Sequence, residues 1–472
     1  MNKRRPAVSF NCIDKTLLSY EAAHQRLNFH IILSIEGKVD PDRLKSAFLH
    51  VLQRHPNLRT VVRNRLFSHS RQVEEISSAR ILEVCDSSDV RTEAEYKKCL
   101  SEWLNRPMDL KKGFPVRVLL LGKEGGASSL IFTFHHSAID GIRGVRFIYE
   151  VISSYENVPL NESQSPHDVP TSPEGDALIE LAHSERPETK RFYWNMLYYM
   201  FHYIFTNAFL HPSRIFHDGS GKSAEIHFYS ERIQPTEFQQ IKSKSRAFGG
   251  TVNDILLAAC FRTIEKWNNV HGKKSKKISI MVPVDVTPRA QPITTNRISF
   301  LSVATFPKDR ANSTGLLRTV NAQTASALRQ CRGCTYSYVY FTYVLSHFPL
   351  SFMKAFAKYI KFPVLADTVL YSNLGVLALY DDEKTATVGG SFRITDFAGL
   401  GPVITVMGMF LCANTFNGSL GIDLCYHTSC FSKEKAQEFM NLYLEEIKGC
   451  SIELGTDRSA LTTASSATGS LI

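Results

Sequence analysis

The sequence has few of the residues that would staple a small secreted domain or hold a metal ion. Its 472 residues include 10 cysteines and 3 tryptophans, and the cysteines are scattered along the chain. A secreted disulfide scaffold is shorter and much denser in cysteine. The one close pair, Cys331 and Cys334, has no second pair at the spacing of a zinc site. We therefore predict no metal site and two ordinary cysteines on a helix.

Several motifs of other function classes are also missing. No apolar segment follows the basic start MNKRR, so a secretory signal is not indicated and a cytoplasmic location is expected. The run HDGSGKS (217–223) is not a P-loop, because the position that needs its first glycine is Phe216. No G-x-S-x-G elbow of a serine hydrolase occurs. No zinc-finger or RNP-type motif indicates binding to nucleic acid.

The charge balance favours acidic partners without choosing among them. The chain carries 55 Lys+Arg against 45 Asp+Glu, a formal net charge of +10. Such a balance favours phosphorylated cofactors, nucleotides, nucleic acid or anionic lipid. The basic run HGKKSKKI (271–278) has two interpretations. It is either a solvated connection or a contact for CoA phosphates or an acidic carrier protein, made by Lys273, Lys274, Lys276 and Lys277.

The order of strands and helices indicates two α/β lobes. Apolar runs such as LNFHIILSI (27–35) and SSLIFTFHH (128–136) predict strands, and Asp40-Pro41 opens a helix with apolar residues at helical spacing. The second half repeats this mixture. We predict an N-terminal lobe over 1–156, a linker rich in Pro, Ser and acidic residues over 157–187, a C-terminal lobe over 188–455 and a disordered tail over 456–472. Ligand clefts commonly lie between two such lobes.

The most apolar stretch is FYWNMLYYMFHYIFTNAFL (192–210). It is about as long as a membrane span, but it contains Asn195, His202 and Asn207 and many aromatic residues. This composition favours a buried or tunnel-lining helix. An interfacial membrane helix and a true span are the alternatives, so membrane association stays open.

The heptapeptide HHSAIDG (135–141) is the best candidate for chemistry. It lies between a predicted strand and a predicted helix, where a turn can expose an imidazole. A neutral imidazole can act as a general base at cellular pH, although a structural histidine is the plainer interpretation. Asp140 could pair with an arginine or orient the imidazole of His136. A metal site of His135, His136 and Asp140 is disfavoured, because neighbouring strand residues face opposite ways.

HHSAIDG resembles the HHxxxDG motif of the chloramphenicol-acetyltransferase-like superfamily. This superfamily includes condensation domains of nonribosomal peptide synthetases, wax ester synthase/diacylglycerol acyltransferases and alcohol acetyltransferases. Further resemblances follow in the same order over roughly 8–448, and they include LQRHPNLRTVV (52–62), TVNDILLAA (251–259) and YSNLGVL (371–377). The segment around Gly113-Phe114-Pro115 departs from the wax ester branch, so no single branch is assigned.

The resemblance implies a fold and a set of roles. The fold would be α/β (α+β), with two chloramphenicol-acetyltransferase-like lobes, each a mixed sheet flanked by helices, and an active-site tunnel between them. His136 would be the catalytic base and His135 would support it. Asp140 would be structural, with Arg59 as its ion-pair partner. Gly141 would let the backbone turn beside the acceptor channel.

The resemblance also implies the substrates. Ser372 and Asn373, from the second lobe, would bind substrate, and Asn373 would either bind the acyl donor or stabilise the oxyanion. The reaction would be transfer of an acyl group from a thioester, in the first place acyl-CoA as a substrate rather than a cofactor, to an alcohol. Two alternatives are open: transfer from an acyl carrier protein to an amine or hydroxyl, and a non-catalytic module that binds a carrier or another partner.

Overall fold

The computed structural model describes most of the chain. The described residues are 7–8, 10–23, 26–64, 69–74, 82–85, 90, 92–122, 127–156, 189–219, 225–285, 296–326, 332–359, 366–377, 387–388 and 392–456. The predicted linker at 157–187 and nearly all of the predicted tail lie outside this set. So do Cys331, the side chain of Cys334 and the end of the 217–223 run, and the predictions made for them stay predictions.

The first part of the chain alternates strands and helices as expected. Its elements are β1 (Ala7–Val8), α1 (Cys12–Ala23), β2 (Asn28–Gly37), α2 (Pro41–Arg54), a 3-10 turn (Pro56–Arg59), β3 (Thr60–Asn64), β4 (His69–Val73), β5 (Leu82–Cys85), α3 (Glu93–Asn105), β6 (Val116–Gly122), β7 (Ala127–His135) and α4 (Gly141–Glu156).

The second part begins with a long aromatic helix and continues with the same mixture. Its elements are α5 (Thr189–Phe209), β8 (Ile226–Ile233), α6 (Pro235–Ala247), α7 (Val252–Val270), β9 (Ile278–Asp285), β10 (Ile298–Thr305), α8 (Ser313–Ala325), α9 (Arg332–Ser346), α10 (Leu350–Tyr359), β11 (Val369–Val376), β12 (Thr387–Val388), β13 (Phe392–Leu400), β14 (Met409–Phe416), β15 (Ser419–His427) and α11 (Lys433–Thr456).

Two mixed six-stranded sheets form the lobes, which confirms the predicted fold class. The first sheet has the order β12-β13-β2-β7-β6-β5 and the second has the order β10-β9-β11-β14-β15-β8. β5 runs parallel to β6 in the first sheet, and β11 runs parallel to both neighbours in the second. A further small sheet has the order β1-β4-β3.

The sheets do not follow the predicted division at 157–187. β12 and β13 come from the second half of the chain but belong to the first sheet, where Phe392 faces Gly37 and Leu400 faces His30 along β2. The N-terminal lobe is therefore completed by two strands from the predicted C-terminal lobe. This exchange fixes the two lobes to each other beside the cavity between them.

Local sequence explains the elements that position the site. The side chain of Asp40 caps α2 by accepting from the backbone N–H groups of Asp42 and Arg43, and Pro41 occupies the first turn. Thr251 and Asp254 form a capping box at the start of α7. Residues 130–135 of β7 are buried on both faces of the sheet. A strand that is anchored in this way holds the residues at its end, His135 and His136, in a fixed position.

The helix predicted at 192–210 has two different faces. Tyr199, Met200 and Tyr203 line an internal cavity, whereas Trp194 and Phe209 are 73% and 71% exposed. The prediction of a tunnel-lining helix is therefore confirmed for one face, while a fully buried helix is wrong. The described part of the chain contains no helix both long and apolar enough to cross a membrane.

Candidate active site

A cavity of about 1120 Å³ lies between the two sheets and collects most of the predicted site residues. From the first lobe, His136, Asp140 and Gly141 line it. From the second lobe, Ser372 and Asn373 line it. Residues that lie 230 positions apart in the sequence thus share one space. His135 and Arg59 do not line this cavity.

His136 presents its imidazole to the cavity from the end of β7. Its backbone N–H donates to the carbonyl of Leu27 at 2.9 Å, and its carbonyl accepts from the side chain of Asn296 at 2.6 Å. The ring of Phe29 packs edge-on against the imidazole, with centroids 5.3 Å apart. These contacts fix the backbone on both sides and leave the ring as the functional group.

The surroundings favour the neutral form of the His136 imidazole. Burial lowers the pKa of His136 from its ordinary value, and the negative charge of Asp140 only partly opposes this. Nδ1 is buried without a hydrogen-bond partner in the described structure. Because Nδ1 is buried, Nε2 is the ring nitrogen that a ligand in the cavity can reach. A neutral imidazole with one available nitrogen is the state that a general base needs.

His135 points away from the cavity and is fully buried. Its Nδ1 lies 2.8 Å from the hydroxyl of Ser137, and its Nε2 lies 2.8 Å from a carboxylate oxygen of Glu21 on α1. Burial pushes up the pKa of Glu21, but the hydrogen bond and charge of His135 prevail, and that pKa lies below its ordinary value. His135 therefore anchors the turn to α1. Because both its nitrogens are engaged, it does not share a metal ion with His136.

The ion-pair partner predicted for Asp140 is wrong. Asp140 is 1% exposed and pairs with the guanidinium of Arg143 at 2.5 Å, not with Arg59. It also accepts from the backbone N–H groups of Arg143 and Arg297, both at 3.1 Å. Arg143 is three residues away, on the first turn of α4, where the two side chains share a helix face. Its second contact, 3.4 Å to Asp285, reaches the other lobe.

A buried polar network ties the same turn to the second lobe and to α1. Asn296 donates to the carbonyl of His136 and to Asp14, both at 2.6 Å. Asp14 forms an ion pair of 2.8 Å with Arg71, and the two side chains are 0% and 2% exposed. Arg71 also reaches the carbonyl of Ser137 at 3.4 Å. Removing one partner of a buried pair typically costs about 3–5 kcal/mol, so this network holds the catalytic turn firmly.

The second lobe's side of the cavity is also held locally. The side-chain amide of Asn373 donates to Asn253 at 3.1 Å, and its oxygen accepts from the N–H of Gly375 at 2.9 Å. A Cβ on Gly141 would lie 3.3 Å from the side chain of Leu374. The second lobe therefore approaches the first closely at Gly141.

Sequence reasoning missed several residues that support the site. These are Asp14, Glu21, Arg71, Arg143, Asn296 and Arg297. Arg143 had a readable signal, because a carboxylate and an arginine three residues apart at a helix start commonly pair. The others come from distant segments, and nothing in their own surroundings marks them.

The basic run at 271–278 contains two kinds of lysine. Lys273, Lys274 and Lys276 are exposed, as the interpretation of a solvated loop predicts. Lys277 is 5% exposed and lines the cavity. Neither a solvated connection nor a surface contact for phosphates describes Lys277.

Comparison with known proteins identifies one family model and several relatives that match this chain. The family model described as Condensation domain matches residues 16–330, more than half of the chain. The uncharacterized protein Rv2305 of Mycobacterium tuberculosis is 23% identical over 286 residues, which cover 57% of this chain and 60% of that protein.

Two solved structures share the fold over nearly their whole length. The trichothecene 15-O-acetyltransferase TRI3 from Fusarium sporotrichioides has a TM-score of 0.68 at 12% identity, and 94% of each chain is covered. The starter condensation domain of rhizomide synthetase RzmA, in complex with C8-CoA, has a TM-score of 0.64 at 14% identity, with 94% of this chain and 95% of that chain covered.

Proposed function

The chain belongs to the condensation-domain family, and from this premise we propose that it is an acyltransferase. It moves an acyl group from a thioester, in the first place acyl-CoA, to the hydroxyl of an alcohol. The observation that carries the proposal is the position of His136 in a cavity to which Ser372 and Asn373 of the other lobe contribute, and burial there lowers the pKa of the imidazole. A non-catalytic binding module would not need this poised base.

The proposed reaction needs one proton carrier and no acyl-enzyme. Nε2 of His136 takes the proton from the acceptor hydroxyl as its oxygen attacks the thioester carbonyl. The tetrahedral intermediate then expels the thiolate, which takes the proton back from the imidazolium. The products are an ester and a free thiol, and His136 is again neutral. Holding both substrates in one cavity converts their encounter into a local reaction.

The other site residues act as supports. We assign Asp140 and His135 as positioning residues, because the carboxylate of Asp140 binds Arg143 and the ring of His135 binds Glu21. Ser372 supplies a hydroxyl on the donor's side of the cavity, next to Asn373, whose amide is fixed by Asn253 and Gly375.

The choice of substrates rests on the apolar cavity and on two neighbours. The complex of RzmA with C8-CoA supports a CoA thioester as donor, and the name of TRI3 supports an alcohol as acceptor. The condensation-domain match favours a second candidate, transfer from an acyl carrier protein to an amine or hydroxyl.

The test is free-thiol release from a panel of acyl-CoAs mixed with pooled alcohols and amines. Release that requires both an acceptor and His136 supports the proposal, and the acceptor pool that is consumed separates ester from amide formation. A folded protein that releases no thiol from any CoA donor, but does so from an acylated carrier protein, supports the second candidate instead.

The exposed face of α5 supports peripheral contact with a membrane. Its exposed residues repeat at helical spacing on one face: Trp194, Tyr198, Phe201, Phe205 and Phe209, each between 62% and 73% exposed. Helix α9 packs on α5 and carries the exposed Val344. The turn after α9 adds the exposed Phe348, and α10 adds the exposed Phe352. The sequences of α5, α9 and α10 contain no Asp or Glu but five Lys or Arg. Aromatic residues beside basic ones suit an anionic bilayer surface.

Vesicle flotation tests this contact. The protein should float with vesicles that contain phosphatidylserine and much less with phosphatidylcholine alone. The double variant Phe201→Ser and Phe205→Ser should stay at the bottom of the gradient. Val270→Ser is the matched control, because Val270 is 81% exposed on another helix. Equal flotation of the double variant and the control would refute the contact.

A further inference from the structure

Residues of β9 and β10 line part of the cavity, and this part is called the branch below. In the register of this pair, Ile298 faces Asp285, Phe300 faces Pro283 and Ser302 faces Met281. These residues all line the cavity, whereas Val282 and Val303 between them belong to the core on the other face. The strand pair thus forms one wall of the branch.

The length of the branch follows from strand geometry. Asp285 marks the active-site end, because it contacts Arg143 beside Asp140. Asp367 marks the other end, because it binds the hydroxyl of Ser302, which faces Met281 four residues before Asp285. At about 3.3 Å per residue the two ends are roughly 13 Å apart. The lining between them is largely apolar, so the branch fits an extended hydrocarbon chain.

The far end of the branch is polar and buried. Asp367 is fully buried and accepts from Ser302 at 2.7 Å and from Tyr203 at 3.2 Å. Lys277 donates to the side-chain oxygen of Asn207. Among the described residues, this is the one side-chain acceptor that hydrogen-bonds to its ammonium group. All five residues line the cavity.

Lys277 and Asp367 face the same space without forming an ion pair with each other. Both residues are described, and no N–O contact within 4.0 Å joins them. Burial lowers the pKa of Lys277 and raises the pKa of Asp367, and their mutual attraction only partly offsets these shifts. An ammonium has three protons to donate, so a buried one with a single acceptor favours a further oxygen.

We propose that this cluster binds a hydroxyl group at the distal end of the donor's acyl chain. The inference rests on the proposed function, since an acyl chain attached at the reacting carbonyl must enter space continuous with His136. A hydroxyl can accept from Lys277 and donate to Asp367 at once. It also costs less to desolvate than a carboxylate. The preferred donors are then thioesters of hydroxy acids whose chain just reaches the cluster and that are hydroxylated near the chain end.

The test uses unreactive S-alkyl-CoA thioethers, because the CoA fixes their orientation and no acyl group can be transferred. Probes of increasing chain length end in a methyl, a hydroxyl or a carboxyl group, and their binding is measured by calorimetry. At the length that reaches the cluster, the hydroxyl probe should bind about ten- to hundredfold more tightly than the methyl probe. This is the range expected for a hydrogen bond to a charged group.

Two variants connect the preference to the cluster. Lys277→Met should abolish it, whereas Lys274→Met, in the exposed part of the same loop, should keep it. If Lys277→Met does not fold, Asp367→Asn serves as the second variant. It should reduce the preference for the hydroxyl probe. Equal binding of methyl and hydroxyl probes at every length would overturn the inference, and so would tightest binding of the carboxyl probe.

The two proposals fail in distinguishable ways. Thiol release from plain acyl-CoA without any preference among the thioethers would leave the proposed function standing and remove the hydroxyl site. A clear preference for the hydroxyl probe in a protein that releases no thiol would support the hydroxyl site and remove the proposed transfer.

Discussion

The pairing of Asp140 with Arg143 gives a sharp quantitative prediction. Asp140→Asn removes the charge that compensates a buried guanidinium, since the two side chains are 1% and 7% exposed. Breaking a buried pair costs about 3–5 kcal/mol. We expect the lower end, about 3 kcal/mol, because Asp285 remains 3.4 Å from Arg143. The loss is measured as a shift of the urea unfolding curve.

A double-mutant cycle separates Arg143 from Arg59, the partner predicted from sequence. Asp140→Asn combined with Arg143→Met should show a coupling of about 2 kcal/mol, because the residues are in direct contact. Asp140→Asn combined with Arg59→Met should be additive within about 0.5 kcal/mol.

An exposed ion pair provides the control for this cycle. Glu83 and Arg106 lie 2.7 Å apart, but their side chains are 41% and 45% exposed. Glu83→Gln should therefore change stability by less than about 1 kcal/mol. A coupling of Asp140 to Arg59 larger than its coupling to Arg143 would refute the assignment.

Three further predictions concern the catalytic turn. Gly141→Val should raise KM at little cost to folding, because the added carbons meet Leu374 where the lobes approach; an unchanged KM would argue against a narrow passage there. Glu21→Gln should weaken the hold on His135 by about 1 kcal/mol near neutral pH. The lowered pKa of Glu21 stabilises the fold at pH values above the ordinary pKa of a glutamate. This stabilisation is lost as the pH falls through the pKa of Glu21 in the folded protein. The stability of Glu21→Gln should therefore fall less steeply in acid than that of the wild type. In the wild type, kcat/KM should be level near neutrality and fall only below the ordinary imidazole pKa of about 6.5, since burial lowers the pKa of His136; a fall that begins above neutrality would contradict this.

The catalytic strand and turn could be predicted because their signals are local. β7 is largely apolar from Leu130 to Phe134, as expected for a strand buried on both faces, and the turn residues follow it directly. The hairpin between β14 and β15 also has a local signal, the pair Asn417-Gly418. Asn417 and Gly418 both have positive φ, which an Asn-Gly turn accommodates.

The features that depend on distant pairing could not be predicted. Nothing in the sequence of β13 indicates that it pairs with β2, more than 350 residues earlier, rather than with strands of its own half. Lys277 looks like its three exposed neighbours in the basic run. The fold buries Lys277 against Asn207 of α5, and this contact is not visible in the sequence.

The most direct test of the central claim is the effect of His136→Gln on kcat/KM for acyl transfer from CoA to an alcohol. The substitution removes the base but keeps a polar side chain, and a matching urea midpoint shows that the turn is intact. The account predicts a loss of about 10²–10⁴-fold, the usual contribution of a general base. A variant that folds like the wild type and keeps its activity within about threefold would contradict the assignment of His136 as the base.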